Sequence, residues 1–199
     1  PKEMTRKIEA YFEYYWKYDK NYAIQSVDDL RFMKELPKSI RRNIYKDFLF
    51  SDFIFNFRQF FTIPKNLNAK KRESFSWEDD TFLSFMIKIL QNLEPRYVQN
   101  KEYIYREDGD VEEIYFVMSG EYVIGYTVQQ KEFWAKKLGV RSVIGDRGVL
   151  FDKKSEFNYK AIKNMDCYIL RKTNLYEVMA KYPEISKHLK YVVLQKYRQ

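Results

Sequence analysis

The chain has 199 residues, of which 45% are hydrophobic and 19% aromatic, with a formal net charge of +8. That composition excludes a disordered chain, and the length allows one large domain or two small ones. The charge is spread, with 17 basic against 14 acidic residues in 1–95 and 19 against 14 in 96–199, giving +3 and +5. Nucleic-acid binders gather such an excess on one face or tail, so the spread argues against one. The longest basic run, Lys70-Lys71-Arg72, reads as a solvated loop.

A single cysteine, Cys167, leaves no internal disulfide and fits a reducing compartment. Its apolar neighbours mark it as a small core residue. His188 has no second His or Cys to join it, so no metal site is expected. No signal peptide is visible, and no apolar run approaches the roughly 20 residues of a spanning helix. The richest stretch, Phe48 to Phe61, is broken by Asp52, Asn56, Arg58 and Gln59. A start at Pro1 and an end inside a helical pattern at Gln199 lead us to expect an excised piece of a longer protein.

In chain order, Ile8, Tyr11, Phe12, Tyr15 and Trp16 recur at spacings of three and four and predict an amphipathic helix. Asn21 to Ser26 is a polar break. Ser26 or Asp28 caps a helix over Asp29 to Leu36, closed by Pro37. Ser39 is expected to cap a helix bearing Ile40, Ile44 and Phe48, and another from Ser51 presents Ile54, Phe57 and Phe61. Thr62 to Ser76 reads as a linker. Ser76 is expected to cap a helix reaching Leu93, with Asp79 and Asp80 in its first turn, where negative charge is favoured.

After Pro95 the period changes to two. Alternation over Tyr103–Tyr105, Tyr115–Ser119 and Tyr122–Val128 predicts strands, and Phe133–Leu138 follows a Gln-Gln-Lys turn. Most of the six glycines fall here, where tight turns require them. Tyr159 to Ile162 and Cys167 to Leu170 are the last strands. Thr173 caps a helix over Asn174 to Lys181, Pro183 breaks it, and a final helix begins at Glu184.

The chemistry-bearing constellation is the turn Ser142-Val143-Ile144-Gly145-Asp146-Arg147-Gly148-Val149-Leu150, followed by Asn158-Tyr159-Lys160-Ala161. A helix start offers backbone N–H donors to an anion, and a guanidinium can bond two of its oxygens. Gly145 lets backbone approach closely. Asp146 could accept a ribose hydroxyl, and Arg147 to Phe151 would be the short helix. Alternation on a strand sends Lys160 to the face opposite Tyr159. Tyr159 is expected to pack inward.

From Arg96 to about Lys196 the chain resembles a cyclic-nucleotide-binding roll. The resemblance rests on Tyr103-Ile104-x-Arg106-Glu107, Ile114-Tyr115-Phe116-Val117-x-x-Gly120, Gly145-Asp146, and Tyr168-x-Leu170 leading to Leu175-x-x-Val178-x-x-x-Tyr182-Pro183. In that family the turn reads Phe-Gly-Glu-x-x-Leu followed by Arg-x-Ala. Here Asp146 stands for the Glu and Tyr159 falls at the phosphate-binding Arg. The helices Lys7-Ile8-x-x-Tyr11-Phe12-x-Tyr14-Tyr15-Trp16, then Asp28-x-Leu30 and Glu35-Leu36-Pro37-x-x-Ile40, are similar to the C-linker of cyclic-nucleotide-gated, hyperpolarisation-activated and ether-à-go-go type cation channels.

This resemblance implies an α+β fold, with a helical C-linker over residues 1–75 and a nucleotide-binding-like domain over 76–199. The latter comprises an antiparallel, jelly-roll-like β-roll over about 96–170 and C-terminal helices over about 173–199. It implies the cytoplasmic gating region of a homotetrameric cation channel, potassium-selective or nonselective, joined to a membrane pore upstream of Pro1, with no enzymatic activity and no nucleic-acid partner. The implied ligand is cyclic AMP or cyclic GMP, weakened by Tyr159, and no metal is expected. Gly145 and Asp146 would meet ribose, Lys160 and Ala161 the phosphate, and Leu194 and Lys196 the base. Tyr11, Tyr15, Trp16, Phe50, Phe53 and Phe57 would form the subunit interface. Loss of the phosphate Arg resembles the ether-à-go-go branch, in which a later segment of the chain fills the pocket. The alternatives are a soluble cyclic-nucleotide-binding regulatory or adaptor protein, and a transcription regulator with a helix-turn-helix beyond the final helix.

Overall fold

The computed structural model describes residues 2–24, 26–67 and 73–197. The basic run Lys70-Lys71-Arg72 lies outside the described residues, as does part of the expected linker. Contacts group the chain into two compact units, Pro1–Asp19 with Glu94–Lys172, and Lys20–Leu93 with Thr173–Gln199.

The first unit starts with α1, Lys2–Tyr18, the helix foreseen from its apolar stripe. Its strands are β1 (Leu93–Val98, entering from the second unit at Leu93), β2 (Tyr103–Tyr105), β3 (Glu113–Val117), β4 (Glu121–Val128), β5 (Lys131–Gly139), β6 (Val143–Ile144), β7 (Asn158–Ala161) and β8 (Met165–Arg171). They form two four-stranded sheets, ordered β1-β8-β3-β6 and β2-β7-β4-β5, whose pairings are antiparallel. The architecture is jelly-roll-like and is not a closed barrel. Inward residues of both sheets, among them Val98, Tyr115, Val117, Tyr122, Ile144 and Ile169, make one core cluster. The alternating pattern is what allows each strand to bury one face.

Strand β1 begins before Pro95, earlier than the sequence period indicates. It is an edge strand, the place where a residue lacking an N–H is tolerated in a ladder. Gln129 and Gln130 both take positive φ, 48° and 64°, which gives the two-residue turn joining β4 and β5. Within the unit, the Tyr14 hydroxyl donates to Asp166 Oδ1 at 3.0 Å and so ties α1 to β8.

The second unit is helical. Helix α2 (Val27–Glu35) starts at a Ser26 capping box, in which Ser26 Oγ accepts from Asp29 N at 3.0 Å. Helix α3 (Lys38–Asn43) has Pro37, not Ser39, at its N-cap, and it continues as a π-helical segment over Ile44–Leu49. Pro37 precedes the helix at φ −51° and ψ 142° without a side-chain cap bond, and the helix starts two residues before the point expected from Ser39. Helix α4 is Ser51–Phe57.

Helix α5 runs Asp80–Gln91 with Asp79, not Ser76, as N-cap. Ser76 instead makes a turn ahead of it, its backbone N–H donating to Asp79 Oδ2 at 2.8 Å. That bond, followed by the Lys65 ammonium, holds the Asp79 carboxyl below the usual range. Helices α7 (Lys172–Lys181, whose first residue closes the first unit) and α8 (Pro183–Lys196) complete the chain, each starting one or two residues before the expected point. His188 is buried and its Nδ1–H donates to the Pro64 carbonyl at 2.7 Å, since a carbonyl only accepts.

Candidate functional site

The turn after β6 is shaped by two glycines. Gly145 is left-handed at φ +84°, and a Cβ there would stand 2.6 Å from the Glu113 carbonyl oxygen. At Gly148 a Cβ would come within 2.7 Å of Val111 Cβ. Between and beyond them lies α6, Asp146–Phe151, the short helix expected from the sequence. The Val149 amide donates to the Gly145 carbonyl at 2.9 Å, and the Arg147 amide to Asp146 Oδ1 at 3.0 Å. Asp146 is fully buried, so the carboxylate lies inside the turn and not on its surface.

Strand β7 carries the other half of the constellation. Tyr159 packs against the sheet core, with ring centroids 6.3 Å from Tyr105 at 90° and 6.2 Å from Tyr122. Burial pushes its hydroxyl up to about 12, helped by Asp146 and Glu156 and opposed by Arg147. Burial also raises Tyr122, where a Ser142 hydrogen bond opposes and Tyr159 and Asp146 add. Asp146, Arg147, Tyr122 and Tyr159 therefore share one electrostatic neighbourhood. The ring of Tyr159 occupies core space beside the turn, where a guanidinium would have offered two N–H donors.

Lys160 turns the other way. Its ammonium donates to the Tyr103 hydroxyl at 3.1 Å, meets Glu132 Oε2 at 3.4 Å, and stands 5.4 Å from the Trp134 ring centroid. Lys163 pairs with Glu121 at 2.8 Å. Neither lysine replaces the missing arginine. The cation that acts on the Tyr159 hydroxyl is Arg147, which bridges the turn to Glu156 at 2.8 Å. Sequence reading missed Arg147, because its pairing with Glu156 across the turn is set by the fold.

Several sequence-level assignments are corrected by this geometry. Ala161 is fully buried, and its amide donates to the Glu102 carbonyl at 2.8 Å, so a phosphate would have to displace a strand hydrogen bond to use it. The assignment of Leu194 and Lys196 is not among these corrections; both lie on α8. Phe50, Phe53 and Phe57, assigned to a subunit surface, are at most 2% exposed. Phe53 packs against Phe57 and Phe61 at centroid distances of 5.0 and 6.0 Å. The outward rings of that stretch are Phe48 and Phe55, because helical geometry sends alternate aromatics to opposite faces. Tyr11 and Tyr15 are half-buried, and Trp16 is exposed.

Among the described residues, no group of three or more His, Cys, Asp or Glu side chains could hold a metal ion, and no helix is long and apolar enough to cross a membrane.

Comparison with known proteins places this site in a class. Residues 95–182 match the family model of the cyclic nucleotide-binding domain. Over 192 residues, 94% of the chain, it is 22% identical to cyclic nucleotide-gated channel alpha-2 of Bos taurus and, equally, of Oryctolagus cuniculus. The chain spans about a quarter of the length of those relatives, 25%.

Among solved structures it is similar to a cyclic nucleotide-binding domain from Methylobacillus flagellatus KT, with TM-score 0.56, 14% identity, and coverage of 75% of this chain and 76% of that one. It is also similar to the regulatory domain of Toxoplasma gondii PKA crystallised with cAMP, with TM-score 0.52, 16% identity, and coverage of 80% and 51%. These likenesses show the fold. Residues 95–182 are a cyclic nucleotide-binding domain by sequence and architecture, and the chain as a whole has weak homology to a channel subunit.

Proposed function

We propose that the chain is the gating region of a tetrameric cation channel subunit, on the cytoplasmic side of the membrane, in which the occupant of the nucleotide turn biases the pore. Residues 1–75 act as the linker and 76–199 as the nucleotide domain. The observation that carries this reading is the similarity to channel alpha-2 over 94% of the chain. A match limited to the nucleotide domain would have left the preceding helices without a counterpart. The chain has no catalytic step in this reading. Its work is a difference in stability between two arrangements, and a ligand shifts them only by its differential affinity.

Within the domain, Gly145 and Asp146 form the ribose side of the site, where the buried Asp146 carboxylate must be uncovered to meet a hydroxyl, with Leu194 and Lys196 available to the base. Tyr159 occupies the phosphate side, so cyclic AMP or cyclic GMP binds weakly and pays for moving the ring. Potassium-selective or nonselective conduction and assembly from identical or related subunits belong to the same proposal.

The soluble regulatory alternative is favoured by one observation, the likeness to the PKA regulatory domain. Fractionation of the full-length protein from its native cells separates the two. We expect it in the membrane pellet, extracted by detergent alone. Recovery in the soluble fraction would overturn the channel reading.

A further inference from the structure

The second unit contains a cleft of about 270 Å³ between α2, α3 with its π-helical extension, and α5. Leu30, Met33 and Ile87 contribute apolar surface to it, and Lys34, Arg41 and Lys88 contribute three cations. No carboxylate lines it. Arg41 Nε is buried and has no hydrogen-bond partner among the described residues. A buried N–H of a charged group left unpaired is costly, and three cations around one cleft repel each other.

The polar side of the cleft is already ordered. Lys88 Nζ donates to Gln91 Oε1 at 3.3 Å, and Gln91 Nε2 donates to the Tyr45 hydroxyl at 2.8 Å. The Tyr45 oxygen is thus an acceptor, which leaves its O–H to donate. Tyr45 is buried, and the charge of Arg41 acts on its hydroxyl. Residues bearing guanidinium, ammonium and phenol donors therefore line the same cleft as the apolar wall.

We propose that this cleft binds a small organic phosphate monoester, with the phosphate on Arg41, Lys88 and the Tyr45 hydroxyl and the apolar body against Leu30, Met33 and Ile87. Three positive charges favour a dianion over a monoanion. The side-on fork of an arginine, which includes Nε, matches two phosphate oxygens at once. The site is separate from the turn at Gly145, so its success or failure does not depend on cyclic nucleotide binding. A free metabolite and a lipid headgroup can present the same group.

The test uses the whole chain labelled with nitrogen-15, titrated with inorganic phosphate, phenyl phosphate and phenylacetate, and with phosphatidylcholine vesicles with and without phosphatidic acid. Phenyl phosphate is expected to shift the Arg41 Nε–H resonance and to bind more tightly than inorganic phosphate. The Arg41→Lys variant, which keeps the charge and loses the fork, should weaken binding about tenfold or more. Lys88→Gln, at an exposed position, should weaken it several-fold and keeps the test valid if the first variant misfolds. Binding of phenyl phosphate with no response to vesicles identifies a soluble ligand; sedimentation with phosphatidic acid vesicles, lost in either variant, identifies a lipid headgroup. An unmoved Arg41 resonance, equal binding by both variants and the parent, or phenylacetate binding as tightly as phenyl phosphate would overturn the proposal.

Discussion

In the proposed reading, position 159 sets how strongly the nucleotide turn holds a phosphate. An arginine there would present two donors to a phosphate, whereas the tyrosine ring is bound into a core with Tyr105 and Tyr122. Tyr159→Arg is expected to raise affinity for cyclic AMP or cyclic GMP by about tenfold or more in calorimetry, at some loss of thermal stability. Tight binding by the parent chain, unchanged in the variant, would show that phosphate is held elsewhere.

Gly145 is fixed by geometry as much as by chemistry. Its φ of +84° and the Glu113 carbonyl 2.6 Å from any added Cβ make Gly145→Ala costly, by about 1–2 kcal/mol from backbone conformation alone and more from the clash, measurable as a lower urea midpoint. Tyr159 and Cys167, both buried, contribute the alkaline limb of stability. Burial pushes both groups up to about 12, so the native state keeps protons that the unfolded chain loses from its ordinary values of 10 and 9. Fewer protons on the unfolded state mean that stability is full below those values and falls as pH rises towards 12. Tyr159→Phe should flatten that fall in urea titrations taken at successive alkaline pH values.

At the scale of elements, the aromatic run from Phe48 to Phe61 divides between two faces. Phe53, fully buried between Phe57 and Phe61, is core, and Phe53→Ala should cost about 3–5 kcal/mol in denaturant unfolding. Phe55→Ser, at an exposed position, should leave stability within about half a kcal/mol of the parent. Equal losses in the two variants would contradict the assignment of faces. Helix starts show a parallel division between what is local and what is not. Of the two caps expected, Ser26 or Asp28, the structure uses Ser26, whose box needs only Asp29. Ser39 and Ser76 gave way to Pro37 and Asp79, neither of which makes a side-chain cap hydrogen bond.

Across the whole molecule, the exposed large apolar residues include Trp16, Phe48 and Phe55 at 63%, 80% and 59%. Rings so exposed are candidates for burial between subunits. Light scattering over a concentration series should show association that weakens in a Trp16→Ser, Phe55→Ser double variant. A strict monomer at high concentration would leave the tetramer proposal without these side chains as its interface.

The sequence by itself determined the class of this chain. Apolar period and glycine placement are local properties that indicated helices followed by strands, and the resemblance carried by the motifs implied a jelly-roll-like roll with tyrosine where that family has arginine. Tertiary structure alone decided the rest. It buried Phe50, Phe53 and Phe57, paired Arg147 with Glu156, took up the Ala161 amide in a hydrogen bond to Glu102, and gathered Lys34, Arg41 and Lys88 around one cleft. Each of these depends on which distant backbone a side chain faces, and neither residue spacing nor composition encodes that.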